Sequence, residues 1–213
     1  MQSEQLFKKR GGIALKKEIK FGLGLFLVMV FGIVSGNPTV AASANDAGAK
    51  YDDKIVTIQS LLDPWWVVDY DTETFEVSTH LNQGIDSQKW LMSYNEQEDA
   101  YTIRCRQDRI IIVGDEQFKN PLYLTVSSAE DEKGNEVIGV EPEYPNERRF
   151  WRLVEDDVHM DGEVYYLENL YNGDVMDAPG LNLGKEHQLI TFPKNGEDNQ
   201  KWIIQVEGTV AQN

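Results

Sequence analysis

The chain has 213 residues, 36 acidic and 20 basic, a formal net charge of −16 at neutral pH and one cysteine. That negative field repels phosphate backbones and anionic membranes, which argues against nucleic acid as a partner. A lone thiol makes no internal disulfide, so any core must hold by packing alone.

The start reads as separate from the fold. Lys8, Lys9, Arg10, Lys16, Lys17 and Lys20 stand against only Glu4 and Glu18, and Phe21 to Val34 then run without a charge. Ser35 to Ala41 lead into Ala42-Ser43-Ala44. A basic region, a short apolar core and a small-x-small site read as a secretory signal peptide over residues 1–44, cut after Ala44. The other reading is an uncleaved membrane anchor, but the apolar run is shorter than the about 20 residues a full span needs. Pro38 and the alanines favour cleavage, with no membrane insertion afterwards. A secreted, extracellular protein follows, and the long basic leader is of the kind found in Gram-positive bacteria. Cleavage removes six basic and two acidic side chains, leaving about 169 residues at a net charge of about −20, enough for one domain with its own core. Such a charge reads first as a solubilising surface. Residues 45–53 are small and polar and are expected to form a flexible lead-in.

From Lys54 the chain shows short alternating strands. Val56-x-Ile58 opens the first stretch, Leu62-Asp63-Pro64 signals a turn, and Trp65-Trp66 precede the strand Val67-Val68-Asp69-Tyr70. Asp69, Asp71 and Glu73 alternate in a spacing open to cation ligands; without a glycine-bearing calcium loop they read better as a solvated strand face and turn. Tyr101-x-Ile103-x-Cys105 opens the next stretch and places Cys105 on its apolar face, the position of a buried free thiol. Ile110-Ile111-Ile112-Val113 is β-branched throughout and reads as a buried strand. Gly114 to Pro121 and Ser127 to Asn135 read as polar loops that absorb extra length, the second with an acidic turn over residues 129–136. The last stretch opens with Tyr165-x-Leu167. Asn172-Gly173-Asp174 signals a turn, followed by the strand Val175-Met176-Asp177, a small loop at Pro179-Gly180 and the strand Gln188 to Phe192. A short polar tail is expected over residues 208–213.

One motif binds these stretches together. Gln83-Gly84-Ile85-Asp86-Ser87-Gln88-Lys89-Trp90 recurs as Asn195-Gly196-Glu197-Asp198-Asn199-Gln200-Lys201-Trp202, and a worn copy runs from Tyr144 through Glu147, Arg148 and Arg149 to Trp151. Counting back from each tryptophan without gaps, Val77, Ile138 and Leu189 fall thirteen residues before it, and Thr79, Val140 and Thr191 eleven before it. Met92, Leu153 and Ile204 lie two residues after it, on the tryptophan's own face of a strand. An indole turned to a core with an amide beside it, able to satisfy a buried turn, is a physical role for Gln-x-Trp. Three copies make this a repeat protein, with units of about 54–94, 100–156 and 163–207 inside a single domain over 54–207.

Three units of this length, each short-stranded and ending in Gln-x-Trp, resemble the ricin-B-type β-trefoil lectins over roughly Lys54 to Glu207. The wording around the motifs is more similar to the small trefoil haemagglutinin components of clostridial toxin complexes, and to trefoil domains of Bacillus insecticidal toxins, than to plant lectins. The resemblance implies an all-β fold, a β-trefoil of three pseudo-repeats. It also implies sugar sites in which an aspartate and an asparagine bond ring hydroxyls beside an aromatic face. Carried onto this chain, the third unit supplies Asp177 and Asn199, next to Gln200. The stacking residue belongs near Ile190, a departure from the pattern, with Phe192 on the same face two residues later. The first unit supplies Asp69, but Ser87 stands for asparagine and Ser78 for the aromatic residue, leaving His80 as the counterpart of Phe192. The middle unit, with Thr125 and Arg148, has lost the set. Aspartates and asparagines at such places also cap turns, and Gln88 and Gln200 fit a structural role as well.

His80, His159 and His187 fall in different units, with no nucleophile–base spacing and no hydrolase or metalloprotease motif. The chain therefore reads as no enzyme, with neither metal nor cofactor. Two functions stay open. One is a lectin recognising glycans on glycoproteins, glycolipids or cell wall. The other is an assembly or receptor-binding subunit of a secreted toxin-like complex that binds a partner toxin subunit rather than sugar.

Overall fold

The computed structural model describes residues 49–142, 147–156 and 163–210. The signal peptide expected over 1–44, Tyr144 to Asn146 of the worn motif, His159 and residues 211–213 lie outside the described residues. The described chain is all strand and short 3-10 turns. In order the strands are β1 Lys54–Ser60, β2 Trp66–Tyr70, β3 Val77–Leu81, β4 Trp90–Asn95, β5 Ala100–Cys105, β6 Arg109–Val113 and β7 Glu116–Asn120. There follow β8 Leu122–Glu130, β9 Glu136–Pro142, β10 Phe150–Glu155, β11 Val164–Asn169, β12 Val175–Asp177, β13 Ile190–Phe192 and β14 Trp202–Thr209.

Six strands close on themselves. β1 pairs with β4 and β14, β4 with β5, β5 with β10, β10 with β11, and β11 with β14, all antiparallel. A closed ring leaves no edge to pair with another chain. The ring is built from the alternating strand that opens each unit (β1, β5, β11) and the strand that carries each tryptophan (β4, β10, β14). Six of the other eight strands form three hairpins, β2–β3, β8–β9 and β12–β13. These converge through backbone bonds at the positions thirteen residues before the tryptophans: Leu189 N–H donates to Val77 O at 2.8 Å, and Ile138 N–H to Leu189 O at 2.8 Å. Val77, Ile138 and Leu189 are buried there, in one core with Trp90, Trp151 and Trp202.

Four local expectations are corrected. The lead-in is anchored within residues 49–53, because Tyr51 is buried. Its N–H donates to Tyr101 Oη at 3.1 Å and its hydroxyl lies 3.3 Å from Tyr165 Oη, so a tyrosine from β5 and one from β11 clasp it. The last strand outruns the expected limit, since Gly208 and Thr209 pair with Ile55 and Lys54. The polar segment 114–121 is mostly strand β7, and 127–135 is largely the extension of β8 before a turn held by Asp131, whose Oδ1 accepts from the N–H groups of Lys133 and Asn135. Most consequentially, Ile110 to Val113 are not buried. Among the described residues β6 pairs only with β7, as a separate two-stranded sheet, and most of its side chains face solvent. A β-branched run specifies strand; what covers the strand is a tertiary matter.

Cys105 is buried and its thiol donates to Asp86 O at 3.6 Å; burial pushes its pKa up to about 12. It is therefore expected to resist iodoacetamide and aromatic disulfide reagents at pH 8 in the native protein, and to react fully once denatured, as read by intact mass. Because Trp151 is fully buried, Trp151→Ala is expected to cost about 3–5 kcal/mol. Ile112→Ser, on the exposed hairpin, should stay within about 0.5 kcal/mol. Urea melts at low protein concentration measure both.

Candidate functional site

The tryptophans position the polar residues. Each indole N–H donates to a backbone carbonyl of the neighbouring hairpin: Trp90 to Val68 O at 3.1 Å, Trp151 to Leu124 O at 3.0 Å, Trp202 to Met176 O at 3.1 Å. The next residue along each strand is Asp69, Thr125 or Asp177. One repeated bond thus sets the place of the side chain that carries each unit's polar chemistry.

The motif glutamine then ties that side chain down. Gln88 and Gln200 each close a single 3-10 turn, Asp86–Gln88 and Asp198–Gln200. Gln200 Oε1 accepts from Asn195 N–H at 2.8 Å, and its amide donates to Pro193 O at 3.1 Å and to Asp177 Oδ2 at 2.9 Å. Gln88 repeats this with Gln83 N–H, Leu81 O and Asp69 Oδ2 at 2.8, 3.0 and 3.1 Å. Both glutamines are fully buried and fully used within the chain.

In the third unit Asn199 joins the pair: its amide donates to Asp177 Oδ1 at 2.8 Å and to Ala178 O at 3.1 Å. Asp177, Asn199 and Gln200 therefore come together as one cluster, with Asp177 4% and Asn199 5% exposed. Asn199 Oδ1 is buried and, among the described residues, accepts from no group. Ile190, directly across from Asp177, is buried, while Phe192 pairs across from Val175 and is 38% exposed. Cross-strand partners share a face, so Phe192 stands on the Asp177 side but one pair further along.

The first unit differs through two small residues. Ser87 replaces Asn199 and is not among the partners of Asp69, whose Oδ1 is buried without a donor. Ser78, paired across from Asp69, replaces the bulk of Ile190 and leaves a cleft of about 110 Å³ lined by Asp69, Asp71, Thr74, Glu76, Ser78 and Lys185. His80 lies opposite Val67, with its ring 6.5 Å from that of Trp66 and Nδ1 3.2 Å from Leu81 O, and it does not line the cleft. Asp71 is engaged in the turn: its Oδ1 accepts from Glu73 and Thr74 N–H at 2.8 and 3.0 Å, and those bonds, Thr74's foremost, hold its pKa down. Among the described residues no three His, Cys, Asp or Glu side chains are placed to hold a metal ion.

Lys185 escaped notice in the sequence, since it comes from the third unit. Gly184 N–H donates to Thr79 Oγ1 at 2.9 Å and brings this loop against β3, with Gly184 at φ +138, a backbone region open mainly to glycine. In the middle unit Arg148 fills the vacated place. Its guanidinium donates to Val126 O, Ser127 O and Glu136 Oε1 at 3.4, 3.1 and 3.1 Å and lies 3.7 Å from the Tyr171 ring centroid.

Burial pushes the Asp177 carboxyl above the ordinary aspartate range, the bonds from Gln200 and Asn199 offsetting only part of the effect. A carboxyl whose folded pKa exceeds its unfolded one binds its proton more tightly in the native state. Its contribution to stability is thus least favourable above the folded pKa and improves as pH falls through it. The carboxyl carbon of Asp177, followed by NMR, is expected to titrate above that of Asp71; the reverse order would contradict this account of the cluster.

No family model matches the chain. It is 25% identical over 118 residues to the "Main hemagglutinin component type C" of Clostridium botulinum C phage, a match covering 55% of this chain and 35% of the relative. The chain thus spans about a third of the length of the curated relatives it matches. Among solved structures it is similar to a mosquitocidal holotoxin (TM-score 0.59, 21% identity, 72% of this chain and 17% of the other). It is similar to the Macrolepiota procera ricin B-like lectin in complex with lactose (TM-score 0.54, 13% identity, 72% and 96%). It is also similar to the BEL beta-trefoil (TM-score 0.53, 16% identity, 73% and 94%). These likenesses establish the fold as an all-β trefoil.

Proposed function

We propose that this is a secreted, non-catalytic, carbohydrate-binding protein that recognises glycans on glycoproteins, glycolipids or cell wall. The observation that carries the reading is the pair of buried acceptors, Asp69 Oδ1 and Asn199 Oδ1, that no group among the described residues serves. An acceptor left buried and unpaired costs about 1–3 kcal/mol, and a sugar hydroxyl is a donor of the kind both lack. In the third unit Asn199 receives the hydroxyl, Asp177 fixes the Asn199 amide by accepting from its nitrogen, and Phe192 offers a flat face to sugar C–H groups. In the first unit Asp69 accepts at the floor of its cleft, with Ser78 and Lys185 beside it. His80 is left as a flanking ring of that unit. The fungal neighbour, a lectin in complex with lactose, and the hemagglutinin name of the phage-encoded relatives support binding of this kind. Shallow sites of this sort gain strength by repetition.

The second reading, a subunit that assembles with a partner toxin protein, draws on the hemagglutinin "component" of the relatives' name and on the exposed apolar hairpin β6–β7. A glycan array with the wild type beside Asn199→Ala, Phe192→Ala and Asp69→Ala separates the two. Sugar binding is expected to weaken about tenfold with each lost hydroxyl contact, with near-ultraviolet circular dichroism unchanged. An array blank at high protein concentration would sink the lectin reading and leave assembly.

A further inference from the structure

We propose that β6 is a self-association edge, through which two copies of this chain pair antiparallel about a two-fold axis at Ile111. This goes beyond sugar recognition and stands independently of it. Strands β6 and β7 form their own two-stranded sheet, and among the described residues neither outer edge is paired. Ile110, Ile112, Val113 and Phe118 are exposed at 50%, 66%, 62% and 48%. The base of the hairpin is held firmly: Asp108 takes Arg104 in an ion pair and has Lys119 at 3.9 Å, while the Arg109 guanidinium lies 4.8 Å from the Phe75 ring centroid. An element so anchored, yet apolar on both faces, is suited to pairing.

The two edges are not equivalent. β7 carries Glu116 and an exposed Lys119, charged residues of the kind that block edge pairing, whereas past Arg109 β6 is Ile-Ile-Ile-Val. Geometry then sets the register. Val113 and Glu116 close a two-residue loop, Gly114-Asp115, with Gly114 at φ +63. A closing pair of that kind is hydrogen-bonded, and bonding alternates along the ladder, so Ile111 and Arg109 bond inward and Ile110 and Ile112 turn their N–H and C=O outward. Antiparallel pairing of two β6 strands sets Ile110 of each copy against Ile112 of the other, using all four outward groups twice over. Ile111 meets its own counterpart on the axis. The same register sets Arg109, at the base of one hairpin, opposite Val113 of the other, at the end of the strand that leads into the tip residue Asp115. A patch with basic base and acidic tip is complementary to itself, as an isologous two-fold contact requires.

The acidic tip disfavours insertion into a lipid surface, as does the formal net charge of −16. That same charge opposes association of two copies at long range, so salt is expected to strengthen the dimer by screening it. Pairing also places two sets of sugar sites on one particle, the repetition that shallow sites need.

Sedimentation of the full chain over a range of concentrations is expected to show a monomer–dimer equilibrium that tightens with added salt. Ile111→Lys sets like charges face to face and should weaken it roughly tenfold or more. Ile111→Cys places two thiols across a non-bonded pair with Cα atoms about 4.5 Å apart, within disulfide reach. It should cross-link two copies under mild oxidation, well ahead of Gln117→Cys on β7, while buried Cys105 stays silent. The hairpin lies outside the main sheet, so circular dichroism of each variant should match the wild type. Equal cross-linking at 111 and 117, or a monomer at every concentration and salt, overturns the proposal. Flotation of the monomer with neutral lipid vesicles would overturn it in favour of a membrane.

Discussion

The architecture rests on one bond made three times: an indole N–H, buried with its ring in the core, donating to a backbone carbonyl in the hairpin alongside. Burying an indole removes a large apolar surface from water but strands its one donor unless an acceptor is aimed at it. Here Val68, Leu124 and Met176 supply the acceptors. The bond therefore locks the six-strand ring to its three hairpins at the same point in every unit, and no disulfide assists it. Each unit can then change its surface without disturbing the join.

The units have used that freedom differently. The third keeps the full polar set, and its asparagine is oriented by the same aspartate that orients the glutamine. The first has shortened two side chains, Ser87 and Ser78, and gains a cleft and a half-used carboxylate in exchange. The middle unit has put Arg148 where the asparagine would be and turned it inward against Glu136 and Tyr171, so its polar groups satisfy one another and offer nothing outward. It is also the unit that carries the β6–β7 hairpin. Loss of a polar site and gain of an apolar projection fall together, which fits a division of labour between ligand binding and association.

The repeat, the equivalence of Val77, Ile138 and Leu189, and the turning of the tryptophans to a core were legible from spacing. Each depends on local periodicity and on one recurring motif, and counting back from tryptophan aligns them without gaps. The β6 run was legible only as strand. Alternation tells which residues share a face, but an unbroken β-branched run has no alternation to read, and no local pattern says whether a neighbour will cover it. Lys185 beside Asp69 was illegible altogether, because its loop meets the first unit through contacts across the fold such as the Gly184–Thr79 bond.

By itself, then, the sequence determined the number of units and which positions are equivalent among them, since these follow from period and motif, while the polar residues that could meet were what the resemblance implied. The tertiary structure decided which of those polar atoms are already satisfied, which face a cleft and which hydrophobic strand stays uncovered. Satisfaction and exposure are properties of contacts between units, and contacts between residues far apart in the chain are made only when the ring closes.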